Sequence, residues 1–201
     1  EHPELRGKSI AVCGDPEARH GIVLTASYPA KRMGVKTAMP IWEAKQHCRD
    51  LIVVPASYGK YQKYSSYVRE IFRDYTDQVE SFGLDEAWLD ITGSLGLFGD
   101  PVKIAKEISD RIKRELEITV SIGVSFNKIT AKLGSDYKKP DAITVIEPDN
   151  YKQIVYPLPV GDLLYVGNAT QRKLGSYGIR TIGQLAETNP EVLKGWFGVM
   201  G

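Results

Sequence analysis

Apolar and polar residues follow two periods along the chain, one typical of strands and the other typical of helices. Short apolar runs between glycine and polar residues predict strands at residues 9–13, 21–26, 51–54, 119–124 and 142–146. Apolar residues spaced by three and four predict helices at 40–48, 57–75, 101–116 and 127–137. Residues 79–92 have the pattern of two strands with a bend near Gly83, where glycine permits a sharp turn.

The order of these elements predicts the class of fold. Strand–strand–helix–strand–helix–strand is typical of an α+β domain with a mostly antiparallel sheet. From about residue 149 onward the pattern changes to short helices and tight turns, with a glycine hairpin at Gly167 between two short helices. The sequence therefore predicts a mixed sheet-and-helix part followed by a small helical part.

Tyrosines and apolar residues recur at helical spacing in the predicted helix 57–75, at Tyr58, Tyr61, Tyr64, Tyr67, Val68, Ile71, Phe72 and Tyr75. We interpret them as part of an amphipathic core face whose hydroxyl groups reach water. A platform on which nucleic-acid bases stack is the alternative.

Composition indicates the class of protein and its cellular environment, but it does not indicate a ligand. The 201 residues are 42% hydrophobic and 25% charged with a net charge of +1, so any basic surface is local and balanced by acidic surface elsewhere. No apolar run approaches the roughly 20 residues of a membrane span, and the pattern of a signal peptide is absent. The two cysteines, Cys13 and Cys48, indicate a reducing, cytoplasmic setting rather than a disulfide framework.

The acidic pair Asp85-Glu86 has the chemistry of a metal site. Neighbouring strand side chains point to opposite faces, so both carboxylates reach one site only where the backbone bends, and Gly83 permits this. Carboxylates suit Mg²⁺, which binds proteins and substrate phosphates together. Taken alone, the pair also fits an exposed turn with two solvated acids. Asp90 falls on a different register and is interpreted as structural.

Three further places have residues suited to phosphate groups. Thr25, Tyr28, Lys31 and Arg32 lie between a predicted strand and helix, where a basic solvated turn is the alternative. Lys139 precedes Pro140, and either a phosphate-binding lysine or a cation at a helix C-terminus fits this position. Gly167 could present backbone N–H groups to a DNA phosphate, although glycine turns between helices are common.

Together these segments resemble the Y-family translesion DNA polymerases, and within them the bacterial DNA polymerase IV (DinB) branch. Four segments resemble this family, and they follow the family's order along the chain. They are residues 25–36, Phe82-Gly83-Leu84-Asp85-Glu86-Ala87-Trp88-Leu89-Asp90, Ser125-Phe126-Asn127-Lys128 through Lys138-Lys139-Pro140, and the Gly167 hairpin. The resemblance covers essentially the whole chain. It implies a right-hand architecture with small fingers at 1–56, a ferredoxin-like antiparallel palm sheet at 57–146 and a helix-hairpin-helix thumb at 147–201.

The resemblance also implies roles for single residues. Asp85 and Glu86 correspond to two of three carboxylates that hold two Mg²⁺ ions. Thr25, Tyr28 and Lys139 correspond to contacts to the incoming triphosphate, with Lys31 or Arg32 as the further cation, since the family usually has arginine at position 31. The residues that correspond to those covering the nascent base pair are Ile22, Leu24 and Ala38, and Gly167 corresponds to the thumb contact to the DNA backbone.

The implied activity is template-directed DNA synthesis in lesion bypass and repair, with primer–template DNA and deoxynucleoside triphosphates as partners. The family's first palm strand, with its metal-binding aspartate and the aromatic residue that excludes ribonucleotides, would precede Glu1. The rest of the thumb, the little finger and a segment for a sliding clamp would follow Gly201. We therefore expect this segment to be a monomer and inactive alone. A cyclase-like palm enzyme and a non-catalytic DNA-binding relative are the alternatives.

Overall fold

A computed structural model describes residues 2–14 and 21–200 of the chain. The chain divides into two compact units, Glu1–Lys63 and Tyr64–Gly201, and the division falls within a helix. Across the described residues, no helix combines the length and the apolar character that crossing a membrane would require.

The first unit contains a three-stranded sheet in the order β2-β1-β3. Strand β1 (Ile10–Cys13) runs antiparallel to β2 (Val23–Ala26) and parallel to β3 (Ile52–Pro55). Helices α1 (Tyr28–Arg32) and α2 (Ile41–His47) contribute Ala30 and Ala44 to the buried core of this unit. The thiols of Cys13 and Cys48 lie in the same core without a disulfide, as the sequence predicts.

Helix α3 (Tyr58–Arg73) crosses the division between the units, and its four tyrosines are exposed. The predicted core face is therefore wrong for these four tyrosines. It is correct for the rest of the predicted face, Val68, Ile71, Phe72 and Tyr75, which lie in or against a buried cluster of the second unit. A spacing of three residues drifts around a helix with 3.6 residues per turn, so the four do not share one face. Edge-to-face contacts join Tyr58 to Tyr61 and Tyr64 to Tyr67.

The second unit has two separate strand pairs. Strands β4 (Val79–Phe82) and β5 (Glu86–Leu89) form an antiparallel hairpin, while β6 (Ile122–Ser125) and β7 (Ile143–Ile146) pair in parallel. The expected antiparallel sheet is thus correct for the first pair and wrong for the second. Helix α6 (Lys128–Tyr137) connects β6 to β7, and such a crossover returns the chain in the same direction.

Helices α3 and α5 (Pro101–Leu116) form the main core of the second unit. Asp100 caps α5, because its Oδ1 accepts hydrogen bonds from the N–H groups of Val102 and Lys103, each at 3.0 Å. The buried residues of this core are Ile71, Tyr75, Ile104, Ile108 and Ile112. A short helix α4 (Leu95–Phe98), which the sequence pattern does not predict, precedes α5.

Short helices follow β7, as predicted. They are α7 (Tyr151–Val155), α8 (Asn168–Ser176), α9 (Ile182–Ala186) and α10 (Pro190–Phe197), with 3₁₀ turns at Val160–Asp162 and Gly198–Met200. Leu133 of α6 and Ile146 of β7 share a buried cluster with Val155 and Ile182. This cluster attaches the helical part to the sheet part of the same unit.

Candidate metal and nucleotide site

The acidic pair lies at the end of the β4–β5 hairpin. Phe82 pairs with Glu86, and a three-residue turn, Gly83 to Asp85, connects the strands. Gly83 has φ +74°, a conformation that costs glycine little and other residues more, so the predicted bend is present. Asp85 is exposed in the turn and Glu86 is half-buried at the start of β5. Consecutive carboxylates thus have different surroundings.

Helix α3 holds this turn through Arg69 and Ser65. The Arg69 guanidinium donates hydrogen bonds to the Gly83 carbonyl (2.7 Å), to the Ser81 hydroxyl (3.0 Å) and to the Ser65 hydroxyl. The Ser65 hydroxyl in turn donates to the Leu84 carbonyl. Sequence reasoning missed both residues, because their partners lie 12 to 19 residues away along the chain. Their four-residue spacing on a helix was the available signal.

A chain of charged contacts connects Glu86 to Lys139. Lys132 Nζ lies 2.6 Å from Glu86 Oε1 and 2.9 Å from Asp136 Oδ2, and Lys139 Nζ lies 2.6 Å from Asp136 Oδ1. Lys132 is largely buried, with 17% of its side chain exposed, whereas Lys139 is about half exposed. The structure therefore brings a predicted metal ligand and a predicted triphosphate contact into one connected set.

The charged forms of Lys132 and Asp136 stabilise each other. Burial favours neutral Lys132, but hydrogen bonds to Glu86 and Asp136 outweigh it and raise the pKa of Lys132. Burial would also raise the pKa of Asp136, yet hydrogen bonds from Lys139 and Lys132 lower that pKa below its ordinary value. Both shifts indicate that the ionised pair persists at neutral pH.

Asp90 has the structural role that its register predicts. Its Oδ1 accepts a hydrogen bond from the Thr92 N–H at 2.9 Å, where a 3₁₀ turn (Thr92–Ser94) begins. Hydrogen bonds from the Thr92 hydroxyl and N–H lower the pKa of Asp90.

The first unit contains the other predicted triphosphate contacts. Thr25 is exposed on β2, and Tyr28, Lys31 and Arg32 are exposed on α1. Lys31 Nζ lies 5.2 Å from the centre of the Tyr28 ring, within range of a cation–π contact. Ser27, between Thr25 and Tyr28, joins α1 to the sheet, since its hydroxyl accepts from the Ile10 N–H and donates to the Lys8 carbonyl.

A β-bulge determines which residues of β2 face outward. The register shifts so that Val12 pairs with Thr25 and Cys13 pairs with Val23, which leaves Leu24 as an extra residue. Val23 and Ala26 are buried while Leu24 and Thr25 between them are not. The bulge therefore keeps a predicted base-pair residue and a predicted phosphate residue together outside the core.

Ile22 and Ala38, the other residues predicted to cover the nascent base pair, are both exposed. Ile22 forms an isolated bridge to Pro40, and the Ala38 N–H donates to the Val23 carbonyl at 2.8 Å. Ala38 has φ +66°, a conformation that alanine rarely adopts. These contacts bring Ala38 against the strand that contains Leu24.

Gly167 lies immediately before α8, as its N-cap residue, and follows the 3₁₀ turn Val160–Asp162. The glycine between the two helices α8 and α9 is instead Gly178, with φ +83°. A Cβ added at Gly167 would meet nothing within 4 Å. The fold thus leaves open space at Gly167, which a backbone contact from outside could use.

The donor set fits a divalent cation in part. Asp85 and Glu86 offer hard carboxylate oxygens, and Asp85 has no hydrogen bond or ion pair with any described residue. Residues 2–14 and 21–200 contain no group of three or more histidine, cysteine, aspartate or glutamate side chains that could hold a metal ion. A complete coordination shell would thus need oxygens beyond this pair, such as those of substrate phosphates.

Comparison with known proteins gives consistent matches. A model of the impB/mucB/samB family matches residues 1–136. DNA polymerase IV of Acetivibrio thermocellus is 56% identical over 200 residues, which cover 100% of this chain and 50% of that protein. DNA polymerase IV 1 of Bacillus subtilis is 44% identical over 199 residues, or 99% of this chain and 48% of that protein. The chain spans about half the length of these curated relatives.

The fold matches solved polymerase structures as well. An insertion ternary complex of Dbh DNA polymerase has a TM-score of 0.88 and 31% sequence identity, and the match covers 98% of this chain and 58% of that one. A Y-family DNA polymerase chimera of Dbh and Dpo4 has a TM-score of 0.89 with the same identity and coverage.

Proposed function

Because the chain belongs to the impB/mucB/samB family, we propose that the protein is a template-directed DNA polymerase of the Y family that acts in translesion synthesis and repair. The resemblance to Y-family polymerases and the α+β, right-hand fold class predicted from the sequence are both confirmed. The observation that supports the proposed activity most strongly is the chain of contacts from Glu86 through Lys132 and Asp136 to Lys139.

In the proposed active site, Asp85 and Glu86 hold the divalent ions, for which two Mg²⁺ are the expectation. When bound, the ions would stabilise the attacking and leaving oxygens of phosphoryl transfer. Asp85 is exposed and without a partner among the described residues, so it can accept a cation without breaking a contact. Glu86 already accepts from Lys132 through Oε1, so a metal would bind its other oxygen or displace that contact.

The substrate contacts follow the same proposal. Thr25, Tyr28 and Lys139 contact the triphosphate, and both Lys31 and Arg32 are exposed and so remain candidates for the additional cation. Arginine can grip a phosphate with two parallel hydrogen bonds whereas lysine is a point charge, which favours Arg32. The side chains proposed to cover the nascent base pair are Ile22, Leu24 and Ala38.

The proposed DNA contact of the helical part is Gly167, where open space permits close approach of a phosphate to the backbone. We further propose that the protein lies in the cytoplasm and is a monomer that binds a sliding clamp. The named relatives and solved structures are DNA polymerases, so neither the cyclase-like nor the non-catalytic alternative is favoured.

Primer extension by the full-length protein tests this function. We expect Asp85→Asn and Glu86→Gln each to lower kcat by roughly 100-fold or more, because each removes a carboxylate charge proposed to hold the ions that stabilise the transition state. Asp110→Asn, at an exposed position of α5, is the matched control and should leave the rate unchanged. Full extension by both Asp85→Asn and Glu86→Gln would disprove the site, and absence of extension by the unaltered protein would disprove the function.

A further inference from the structure

Arg69 of α3 contacts the hairpin turn rather than any carboxylate of the candidate site. Its guanidinium reaches the Gly83 carbonyl through Nη2 (2.7 Å), the Ser81 hydroxyl through Nε (3.0 Å) and the Ser65 hydroxyl through Nη1. Three different nitrogens are therefore used, which matches the planar fork of arginine and which a lysine cannot reproduce.

Ser65 completes this arrangement from the same helix. It is buried, with 8% exposure, and its hydroxyl donates to the Leu84 carbonyl while it accepts from Arg69. The carbonyl groups of both residues that precede Asp85 are thus held by α3. Ile71, between these contacts and the end of the helix, is packed in the main core of the unit, so α3 is itself a rigid support.

The Asp85 side chain has no hydrogen bond or ion pair with any residue that the structure describes. It follows Gly83, whose backbone is in the left-handed region, and it lies outside the last strand pair, Phe82 with Glu86. The backbone of the turn is therefore what determines where this carboxylate lies. A metal-binding side chain must be held in position by the residues that surround it.

We propose that Arg69, together with Ser65, is a positioning residue that fixes Asp85 for metal binding through the backbone of the turn. This inference rests on the proposed polymerase function, because only that function gives Asp85 a role in metal binding. Among the described residues, Arg69 has no hydrogen bond or ion pair with Asp85 or Glu86. It holds the Gly83 carbonyl directly and the Leu84 carbonyl through Ser65.

Steady-state primer extension by the full-length protein tests the kinetic consequence. Arg69→Ala should lower kcat by about 10- to 100-fold, since small displacements of a reacting constellation have effects of this size. KM for the nucleotide should change by less than about twofold, because the proposed triphosphate contacts are retained. Guanidinium ion at a low, non-denaturing concentration should restore part of the rate, and Arg69→Lys should remain impaired.

Arg73→Ala is the matched control, since Arg73 lies one turn further along α3, is exposed and has no hydrogen bond or ion pair with the described residues. A kcat for Arg69→Ala equal to that of Arg73→Ala would overturn the proposal. So would a loss that guanidinium does not restore while the thermal midpoint falls, because this is the behaviour of a purely structural residue.

Amide hydrogen exchange separates this proposal from the proposed function. Arg69→Ala should speed exchange at residues 84–86 by about tenfold or more while α5 keeps its protection, whether or not the protein extends primers. Unchanged exchange at the turn would overturn the positioning role even in an active polymerase. Faster exchange in a protein that extends no primer would instead count against the polymerase function alone.

Discussion

Glu86 and Lys139 each have a partner of opposite charge within the protein, and this affects how they can bind anything else. Lys132 neutralises Glu86, and Asp136 neutralises Lys139. A metal ion at Glu86 would compete with the Lys132 ammonium group, and a triphosphate at Lys139 would compete with the Asp136 carboxylate. Because Lys132 and Asp136 also contact each other, release of one end leaves the two inner groups paired. We infer that the inner pair preserves the site between binding events.

The pH dependence of the free energy of unfolding should reveal the contribution of the Lys132–Asp136 ion pair. The folded-state pKa of Asp136 lies below its ordinary value of 3.8, so its contribution is complete above that value and is lost as the pH falls through the folded pKa. Asp136→Asn should lower the free energy of unfolding at pH 7 by about 0.5 kcal/mol, since 42% of the side chain is exposed and solvent weakens the pair. The difference should shrink as the pH falls below 3.8 and vanish once the pH is below the folded-state pKa.

Urea unfolding of both proteins between pH 2 and 7 measures this difference. Asp110→Asn, at an exposed position on α5, is the control that loses a carboxylate without losing an ion pair. An Asp136→Asn effect that stays constant down to pH 2 would contradict ionisation as its cause.

Residue chemistry was the most predictable part of the site. The bend at Gly83 and the structural role of Asp90 follow from residue type and spacing, and the structure agrees. That Asp85 and Glu86 hold a metal ion stays a prediction. Arg69 and Lys132 were not predictable, because their partners lie 14 and 46 residues away, and only the fold brings these side chains together.

At the scale of elements, the packing of α6 on β6 determines where Lys132 lies. A Cβ added at Gly123 of β6 would come within 1.8 Å of the Ala131 carbonyl oxygen, and a Cβ added at Gly134 of α6 would come within 3.1 Å of the Gly123 Cα. The helix backbone therefore lies directly against the strand backbone. This close approach brings Lys132 of the same helix to the strand pair that carries Glu86.

Gly123→Ala should therefore destabilise the protein strongly. Both backbones are fixed by their own hydrogen bonds, so relief of the overlap must move α6, at a cost of about 3 kcal/mol or more. Gly175→Ala is the matched substitution on α8, where an added Cβ meets nothing within 4 Å. It should stabilise by up to about 1 kcal/mol, because alanine favours a helix over glycine. Thermal unfolding of the two variants measures both effects, and a mild effect of Gly123→Ala would contradict the packing described.

Element boundaries were predictable where a local signal sets them. Helix α5 begins at Pro101 as predicted, since Asp100 and Pro101 are local start signals. It also ends at Leu116 as predicted, where Glu117 has a left-handed conformation. Strand β6 begins at Ile122 rather than at 119, because its extent depends on pairing with Ile143 of β7. The direction of that pairing depends on the α6 crossover, which a count of strands and helices does not reveal.

At the scale of the whole molecule, the charge is distributed unevenly between the two units. Residues 1–63 contain ten lysine and arginine residues against six acids, and the remaining chain contains sixteen against nineteen. The first unit is therefore basic by four charges and the second acidic by three, which the overall charge of +1 conceals. Binding to DNA phosphates depends on such local charge.

We therefore expect this chain to bind primer–template DNA weakly at physiological salt, with a Kd of about 1 μM or higher, and more tightly as salt is lowered.

If Gly167 contacts a DNA phosphate, Gly167→Asp should weaken binding further, because it adds a negative charge where a Cβ has open space. Gly175→Asp is the control, since it adds the same charge at another open position, within α8. Fluorescence anisotropy between 50 and 200 mM salt would measure all three proteins. Equal effects of the two substitutions would exclude Gly167 as the DNA contact. Nanomolar binding at physiological salt would contradict the weak binding that the charge distribution predicts.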